Sequence, residues 1–422
     1  MVEWKPIDEL FNFEKGSLQS SKCTPGKYTF ITAAEEWKTH SSYTHDCEAL
    51  IFAMAASGSL GRTHYIKGKF ISSDLCFILT PKKGMRLDLT FYHRLFNFLR
   101  SDIVKKTATG TSKLAINQTN FGAYRLPYFD YDHQLIFRDK IEKINSISES
   151  YSQGLEEQLS LFKKLRQAIL QEAIEGKLTA DWRKKHPELI SGENHASKLL
   201  EKIKAEKEQL IKEGKIKKEK PIAPIKDAEK PFDLPEGWVW CRFGNICEIS
   251  TNNVSPFDYQ NHPHIAPDNI EKCTGKLLEY KTVKEDNVIS VNHLFYPGMI
   301  VYSKVRPRLR KVTEVDFEGL CSADMYPLTP KINKRYLKTV MLTNFFDSEV
   351  YKFDNRVKMP KINQDQLNTI PIPIPSLAEQ KAIVERVDKL MAMIDELEKQ
   401  VNERKDKSER LMQSVLREAF MQ

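Results

Sequence analysis

The sequence predicts an α+β fold built twice: two globular domains of mixed or antiparallel sheet with helices, each followed by a long helix, the two helices pairing as an antiparallel coiled coil. Three observations carry this. Ser376-Leu377-Ala378-Glu379 reads as a capping box directly after Ile370-Pro371-Ile372-Pro373-Ile374-Pro375, whose prolines cannot lie inside a helix, so a helix must start near Ser376. From there Val387, Leu390, Ile394, Leu397, Val401, Arg404, Ser408, Leu411 and Val415 follow steps of three and four, a heptad seam broken only in its middle. Finally, Ile116-Asn117-Gln118, Leu126-Pro127 and Gln134 return as Ile362-Asn363-Gln364, Ile372-Pro373 and Gln380 at an offset of 246 (362 less 116). The seam returns with them, as Ile141, Ile144, Ser148, Tyr151, Leu155, Gln158, Phe162, Leu165 and Ile169. A repeat that long describes two structural units and not a solenoid, whose periods are roughly 20 to 50 residues.

In chain order, residues 1–130 form the first domain. Tyr28 to Thr32, Ala49 to Ala53 and Leu75 to Leu79 are β-branched and aromatic runs between Gly, Ser and Pro turns, hence strands. Phe91, Leu95, Phe98, Leu99 and Val104 keep helical spacing, so one helix is expected between Leu89 and Thr107. Asp130 is placed to cap the first long helix, 131–176, with Gly176 to end it. Residues 177–236 combine a charged helix, Asn194 to Glu213, with a Lys- and Pro-rich stretch expected to be extended and solvated. The second domain spans 237–375 and the second long helix 376–422. Residues 298–330 align without gaps on 49–81 at an offset of 249 (298 less 49).

A domain opening near a Trp, a Pro-rich exit into Leu377-Ala378-Glu379-Gln380-Lys381 with Ile383-Val384, a long helix, and the same again: this arrangement resembles the specificity subunit of type I restriction and modification enzymes. Residues 371–390, the helix end Leu170 to Thr179, and Leu234-Pro235-Glu236-Gly237-Trp238 carry the resemblance. It implies a non-catalytic DNA-recognition subunit in which each domain reads one half of a bipartite, asymmetric double-stranded target while the helices set the spacing. It also implies two docked adenine methyltransferase subunits, with or without two ATP-dependent translocating nuclease subunits. Those partners, and not this chain, would use S-adenosylmethionine, ATP and Mg²⁺.

Composition agrees with this class. The net charge of +8 suggests an anionic partner, yet the stretch from Lys177 to Lys230 holds 15 Lys plus Arg against 10 Asp plus Glu, so +5 of it sits in the connecting segment. The seven cysteines are odd in number and form no Cys-x-x-Cys pair, which fits reduced thiols in a cytosol and opposes a disulfide framework or zinc ribbon. Met1-Val2-Glu3-Trp4-Lys5-Pro6 has no apolar signal core, and the longest apolar run, Ala49 to Ala56, is too short for a membrane span. A soluble cytoplasmic protein is expected.

Local clusters nominate the DNA contacts. After the strand Met299 to Tyr302 the second copy carries Lys304, Arg306, Arg308, Arg310 and Lys311, where the first carries a small polar loop with Ser57, Ser59, Arg62, Thr63 and His64. Arg pairs bidentately with guanine or neutralises phosphate, while Ser, Thr and His offer adaptable donors and glycine allows close backbone approach. Arg356, Lys358 and Lys361 form a second basic group, with Lys113 in the matching region of the first copy. One scaffold with two differing loops is what two target sequences would require.

The chain has no phosphate-binding Gly-x-x-x-x-Gly-Lys-[Ser/Thr] loop, no Gly-x-Gly-x-x-Gly and no His-Glu-x-x-His. Pro267-Asp268 and Glu279-Tyr280-Lys281 imitate the spacing of Mg-dependent nucleases, and His262-x-His264 is a metal pair without a third ligand. The competing readings are therefore a self-sufficient nuclease using Asp268 and Glu279, and a coiled-coil assembly protein without sequence preference. If the seams run antiparallel, helices of about 45 residues, roughly 65 Å long, would carry the two domains to opposite ends of a rod.

Overall fold

The computed structural model describes residues 3–55, 58–110, 114–214, 221–353 and 360–421. The chain divides into two compact units, residues 1–157 with 401–422, and residues 158–400. Each unit takes one stretch of both long helices.

In the first unit, Glu3–Pro6 pairs antiparallel with the exit strand Arg125–Tyr128, framing a six-stranded sheet. At its centre His45–Ala53 lies between Thr63–Ser72 and Cys76–Pro81; the outer strands are Phe11–Lys15 beyond Cys76–Pro81, and Tyr28–Ile31 then Lys38–His40 beyond Thr63–Ser72. Tyr28–Ile31 runs parallel to Thr63–Ser72, with Phe30 opposite Ile71, so the sheet is mixed. One face is closed by an aromatic core in which Phe121 lies 4.3 Å from Phe52 and 5.6 Å from Phe77 between ring centroids. The segment expected as one helix is two, Leu89–Phe98 and Arg100–Thr107, because Leu99 leaves helical geometry (φ −83°, ψ 1°).

The second unit keeps this plan and breaks it in the middle. The pair Val239–Arg242 with Pro371–Ile374 matches the frame of the first unit, and Cys247–Ile249, Met325–Pro330, Ile300–Ser303 and Val312–Glu314 repeat its first four strand positions in the same order. The hairpin that is continuous in the first unit is split in the second. Asn292–Phe295 and Ile300–Ser303 are separated by a turn with Gly298 at φ 91°, and Val312–Glu314 and Gly319–Cys321 by Val315 to Glu318. Pro297, which lacks a donor, and the left-handed Gly298 explain the first break. Pro371 and Pro373 are tolerated because their strand has a single partner, while Ile372 and Ile374 are fully buried.

Much of the connecting segment is built into the second unit. Ala196 and Ile203 of the helix Ala196–Lys212 share a core with Ile169, Ile174, Phe243 and Ile246. Residues 215–220 lie outside the described residues. Beyond them the chain is extended and mostly exposed, as expected, and is held at one side by buried Arg242, which donates to Ala223 O (2.9 Å), Pro224 O (3.1 Å), Glu229 (2.9 Å) and Thr369 O (2.6 Å).

The first long helix spans Tyr131–Ile174 and the second Leu377–Met421. Asp130 caps the first by accepting from His133 N (3.0 Å), and Gly176 ends it at φ 71°. Within each unit the helices run antiparallel. In the first, Ile141 shares a core with Leu416 and Phe420 while Glu156 reaches Lys405 at 3.3 Å. In the second, Arg166 pairs with Asp395 and, at 3.0 Å, with Glu398, while Thr179 donates to Glu379 at 2.6 Å.

The seam is half of the one expected. Ile141, Leu155, Ile169, Val387, Ile394 and Val401 are buried; Phe162, seven residues after Leu155, and Val415, fourteen after Val401, are partly so. The second expected position turns outward: Ile144 and Leu390 are half-buried, but Tyr151, Leu165, Leu397 and Leu411 are exposed. Positions four residues after the buried ones, such as Met391, Glu398, Lys405 and Met412 or Ser152, Leu159 and Arg166, are half-buried in their place. Heptad spacing fixes a stripe; ion pairs such as Arg166 with Glu398 decide which flank closes.

Both helix starts are tied down by the repeated glutamine. Gln134 accepts from Asp88 N (2.8 Å) and donates to Phe129 O (2.7 Å); Gln380 accepts from Asn333 N (2.9 Å) and donates to Pro375 O (2.9 Å). The capping box at Ser376 is half formed. Glu379 N donates to Ser376 Oγ at 3.2 Å, but the buried carboxylate accepts from Thr179 Oγ1, Arg183 Nη1 (2.5 Å) and Trp238 Nε1 (2.8 Å) instead of reaching back.

Candidate nucleic-acid interface

The two copies build one kind of corner. In the first domain, the chain leaves His45–Ala53, loops through Met54 to Arg62 and returns as Thr63–Ser72. Ala55 bridges Ala115, and Ile116 N donates to Met54 O at 2.7 Å. In the second, Ile300–Ser303 leads into Lys304 to Lys311 and back along Val312–Glu314; Val305 bridges Lys361, Ile362 N donates to Lys304 O at 3.0 Å and Arg306 N to Pro360 O at 2.9 Å. The fold thus brings the Arg-rich loop and Lys361 together, although they lie far apart in sequence. Ser57, Lys113, Arg356 and Lys358 lie outside the described residues.

Strand register corrects the gapless alignment. Leu50 faces Leu79 and Ile300 faces Leu328, so the offset is 250 (300 less 50) before the loop and 249 (328 less 79) after it. The second loop is one residue shorter, and Gly61 is the counterpart of Arg310.

Of the five cations in the second loop, four have partners within the domain, and three of these, Lys304, Arg310 and Lys311, are half-buried. Arg310 sits at φ 46°, and its Nη1 donates to Gln167 Oε1 (2.8 Å), Leu342 O (3.0 Å) and Asn344 Oδ1 (2.9 Å). These bonds give Arg310 a fold-holding role, with three acceptors crowded on one end of its guanidinium. Lys311 pairs with Asp268 at 3.1 Å with only 14% of its side chain exposed, and Lys304 lies 4.9 Å over the Tyr326 ring. Lys361 is held 2.9 Å from Asp324. Arg306 and Arg308 remain exposed. Among the described residues neither guanidinium makes a hydrogen bond; Arg308 lies 4.9 Å over the Tyr351 ring, with its Nε 3.7 Å from Asp347.

The first loop is knitted inward. Arg100 donates to Leu60 O (2.8 Å) and Gly58 O (2.9 Å), and Arg62 approaches Ala33 O and Ser59 Oγ, both at 3.5 Å, and Glu35 at 3.7 Å. Thr63 and His64, expected to face DNA, are buried strand residues. His64 Nδ1 accepts from Trp37 Nε1 (3.3 Å) while Nε2 donates to Ala34 O (2.9 Å), the pattern of a neutral ring. Burial pushes its pKa down, with the nearby Arg62 charge adding to this. The exposed face of this corner therefore rests on Ser59, Arg62 and the backbone about Gly58.

The sequence reading missed Tyr351, Asp347 and Arg100. A signal for the first two was present, since Asp347 and Tyr351 stand four apart on the helix Asn344–Tyr351 and so share a face. The nuclease pattern gains nothing from the fold: Asp268 is fully exposed and bound to Lys311, and His264 is occupied by Asp286 at 2.8 Å. Among the described residues, no three His, Cys, Asp or Glu side chains are grouped to hold a metal, and no helix is long and apolar enough to cross a membrane.

Two mixed-sheet domains in one chain, each with a variable basic or polar corner and each continued into a long helix, define a duplicated recognition scaffold. Residues 1–144 and 235–404 match the type I restriction modification DNA specificity domain. The chain is 34% identical over 426 residues to the type I restriction enzyme EcoDI specificity subunit of Escherichia coli, covering 99% of this chain and 88% of that one. In fold it is similar to a chain of a type I R-M system solved for its complex assembly and conformational transition (TM-score 0.59, 15% identity, 99% and 97% covered). The HsdS subunit from Thermoanaerobacter tengcongensis is also similar (TM-score 0.50, 14% identity, 99% and 96% covered). The chain belongs to the type I restriction modification DNA specificity family.

Proposed function

We propose that the chain is the DNA-recognition subunit of a type I restriction and modification complex, each domain reading one block of a bipartite, asymmetric target. The observation that supports this most is the repeated corner: the same strands, the same bridge to the segment before the exit strand, and different side chains on top. A duplicated scaffold with diverged loops is the economical way to read two sequences with one chain. The exposed cations Arg306 and Arg308 and the partly exposed Arg62 serve as contacts, with Ser59 as an adaptable donor. Arg356, Lys358, Lys113 and Ser57 belong to the same proposal on sequence grounds.

The helices set the gap between blocks and dock two adenine methyltransferase subunits, with the ATP-driven nuclease subunits as further partners. Exposed Leu165 and Leu397 give the helix pair apolar surface that a monomer has no reason to keep. S-adenosylmethionine, ATP and Mg²⁺ are used by those partners.

Selection from a random duplex library, with the chain assembled on its methyltransferase subunits, tests this. Two short conserved blocks separated by a fixed unselected gap are expected, and one heptad added to each helix should change the gap and leave both blocks. Equal affinity for all duplexes would contradict the proposal, as would plasmid cleavage by the pure chain with Mg²⁺.

A further inference from the structure

We infer that Arg308 is the guanine-reading side chain of the second domain, held for that task by Tyr351 and Asp347; this rests on the DNA-recognition reading above and deepens it. The loop narrows the choice. Arg310 is half-buried with its Nη1 held by Gln167, Leu342 and Asn344, Lys311 is held by Asp268, and Lys304 is half-buried on Tyr326. That leaves Arg306 and Arg308 to face outward, and only Arg308 is oriented.

The orientation is of the kind base reading needs. Arg308 is 58% exposed with its guanidinium centre 4.9 Å over the ring of Tyr351, itself 57% exposed, so an aromatic plane limits how the side chain can swing. Asp347, at 17% exposure, stands behind the Nε side at 3.7 Å, too far for a hydrogen bond but close enough to attract the cation. Among the described residues neither Nη group has a partner. A planar fork with two parallel N–H donors matches guanine O6 and N7 in the major groove, and a fork already oriented loses less freedom on binding than a swinging one. A bare surface ion pair would explain the carboxylate contact but not a stacked, half-exposed tyrosine with the fork left open.

Arg306 is the internal contrast. It lies in the same loop at φ 47° and, among the described residues, has no ring beneath it and no carboxylate behind it, which suits a phosphate contact read only as charge.

The test uses the full chain in complex with its methyltransferase subunits. Competition binding measures, at each position of the second block, the four duplexes that differ in one base pair. Wild type should prefer G at one position by roughly 5- to 150-fold. R308A should level the four duplexes there and leave the rest of that block and the whole first block unchanged. R308K should fail to restore the preference, since an ammonium has no fork, and Y351L should lose part of it at the same position only. R306A should weaken all duplexes alike and flatten the salt dependence. The assignment is overturned if R308A keeps every preference, or if it weakens all duplexes equally with a reduced salt slope. Should R308A fail to fold, R308K carries the same two outcomes. A wild-type complex with no sequence preference at all would show instead that the recognition reading itself had failed, and the assignment would fall with it.

Discussion

At one equivalent turn the first domain carries Gly61 at φ 78° and the second carries Arg310 at φ 46°. A Cβ at Gly61 would lie 2.7 Å from Val104 Cγ2, so the first domain has no room for a side chain there. In the second domain Arg310 stands there and accepts left-handed strain of about 1–2 kcal/mol because its Nη1 finds three acceptors. The same backbone shape is thus kept by different means: the first loop is pinned from outside by Arg100, the second from within by its own arginine. Once either device holds the turn, the outward residues are released to vary. The pinning residues are charged in both copies, which is why charge alone misidentifies the contacts.

The largest test of how differently the two copies are anchored lies at the helix starts. Glu379 is buried on Thr179, Arg183 and Trp238, whereas the residue at the repeat offset, His133, is exposed beside Asp130. Glu379→Ala should cost about 3–5 kcal/mol in denaturant unfolding, since it strands a nearly buried guanidinium, while His133→Ala should cost under about 0.5 kcal/mol. Comparable losses in both variants would erase the distinction.

The two seam positions differ next. Ile394→Asp puts a charge where 2% of the surface is exposed and should cost several kcal/mol, whereas Leu397→Asp, at 43%, should melt close to wild type yet lose methyltransferase association in a pull-down. Equal melting shifts would mean the buried stripe is misplaced. At the turn itself, Arg310→Ala loses the hydrogen bonds and keeps the strain. Arg310→Gly also loses them but relieves the backbone, so it should be about 1 kcal/mol the more stable of the two in thermal unfolding.

The smallest effect is in pH. Burial lowers the pKa of His64 and of His93 in the first domain. The unfolded chain then binds more protons, so stability present above the ordinary histidine value of about 6.5 is lost as pH falls toward the folded values. Amide protection in residues 45–53, corrected for the intrinsic pH dependence of exchange, should fall more steeply below that pH than in residues 300–303, although burial also lowers His293 in the second domain, and His64→Gln should blunt the fall. An unchanged slope in that variant would remove His64 from the cause.

Much of this was legible in the residues. The duplication, the capping signals at Asp130 and Ser376 and one buried seam position follow from local spacing, which chemistry constrains over a few residues. What was not legible depended on partners far away in sequence. Glu379 leaves its capping role for Thr179, 200 positions earlier. Arg310 reaches Gln167 across 143 positions, and no property of the loop announces that acceptor. His64 looked like a loop donor because the partners that occupy its ring, Trp37 and Ala34, lie some 30 positions earlier.

The account rests on equivalent corners that read different blocks, and a loop graft tests it directly. Met54 to Arg62 replaces Lys304 to Lys311 between the same paired strands, which seats Gly61 in place of the left-handed Arg310. Duplex selection with the grafted chain should return the first block and the gap unchanged and a second block with altered bases. A second block identical to wild type would contradict the account.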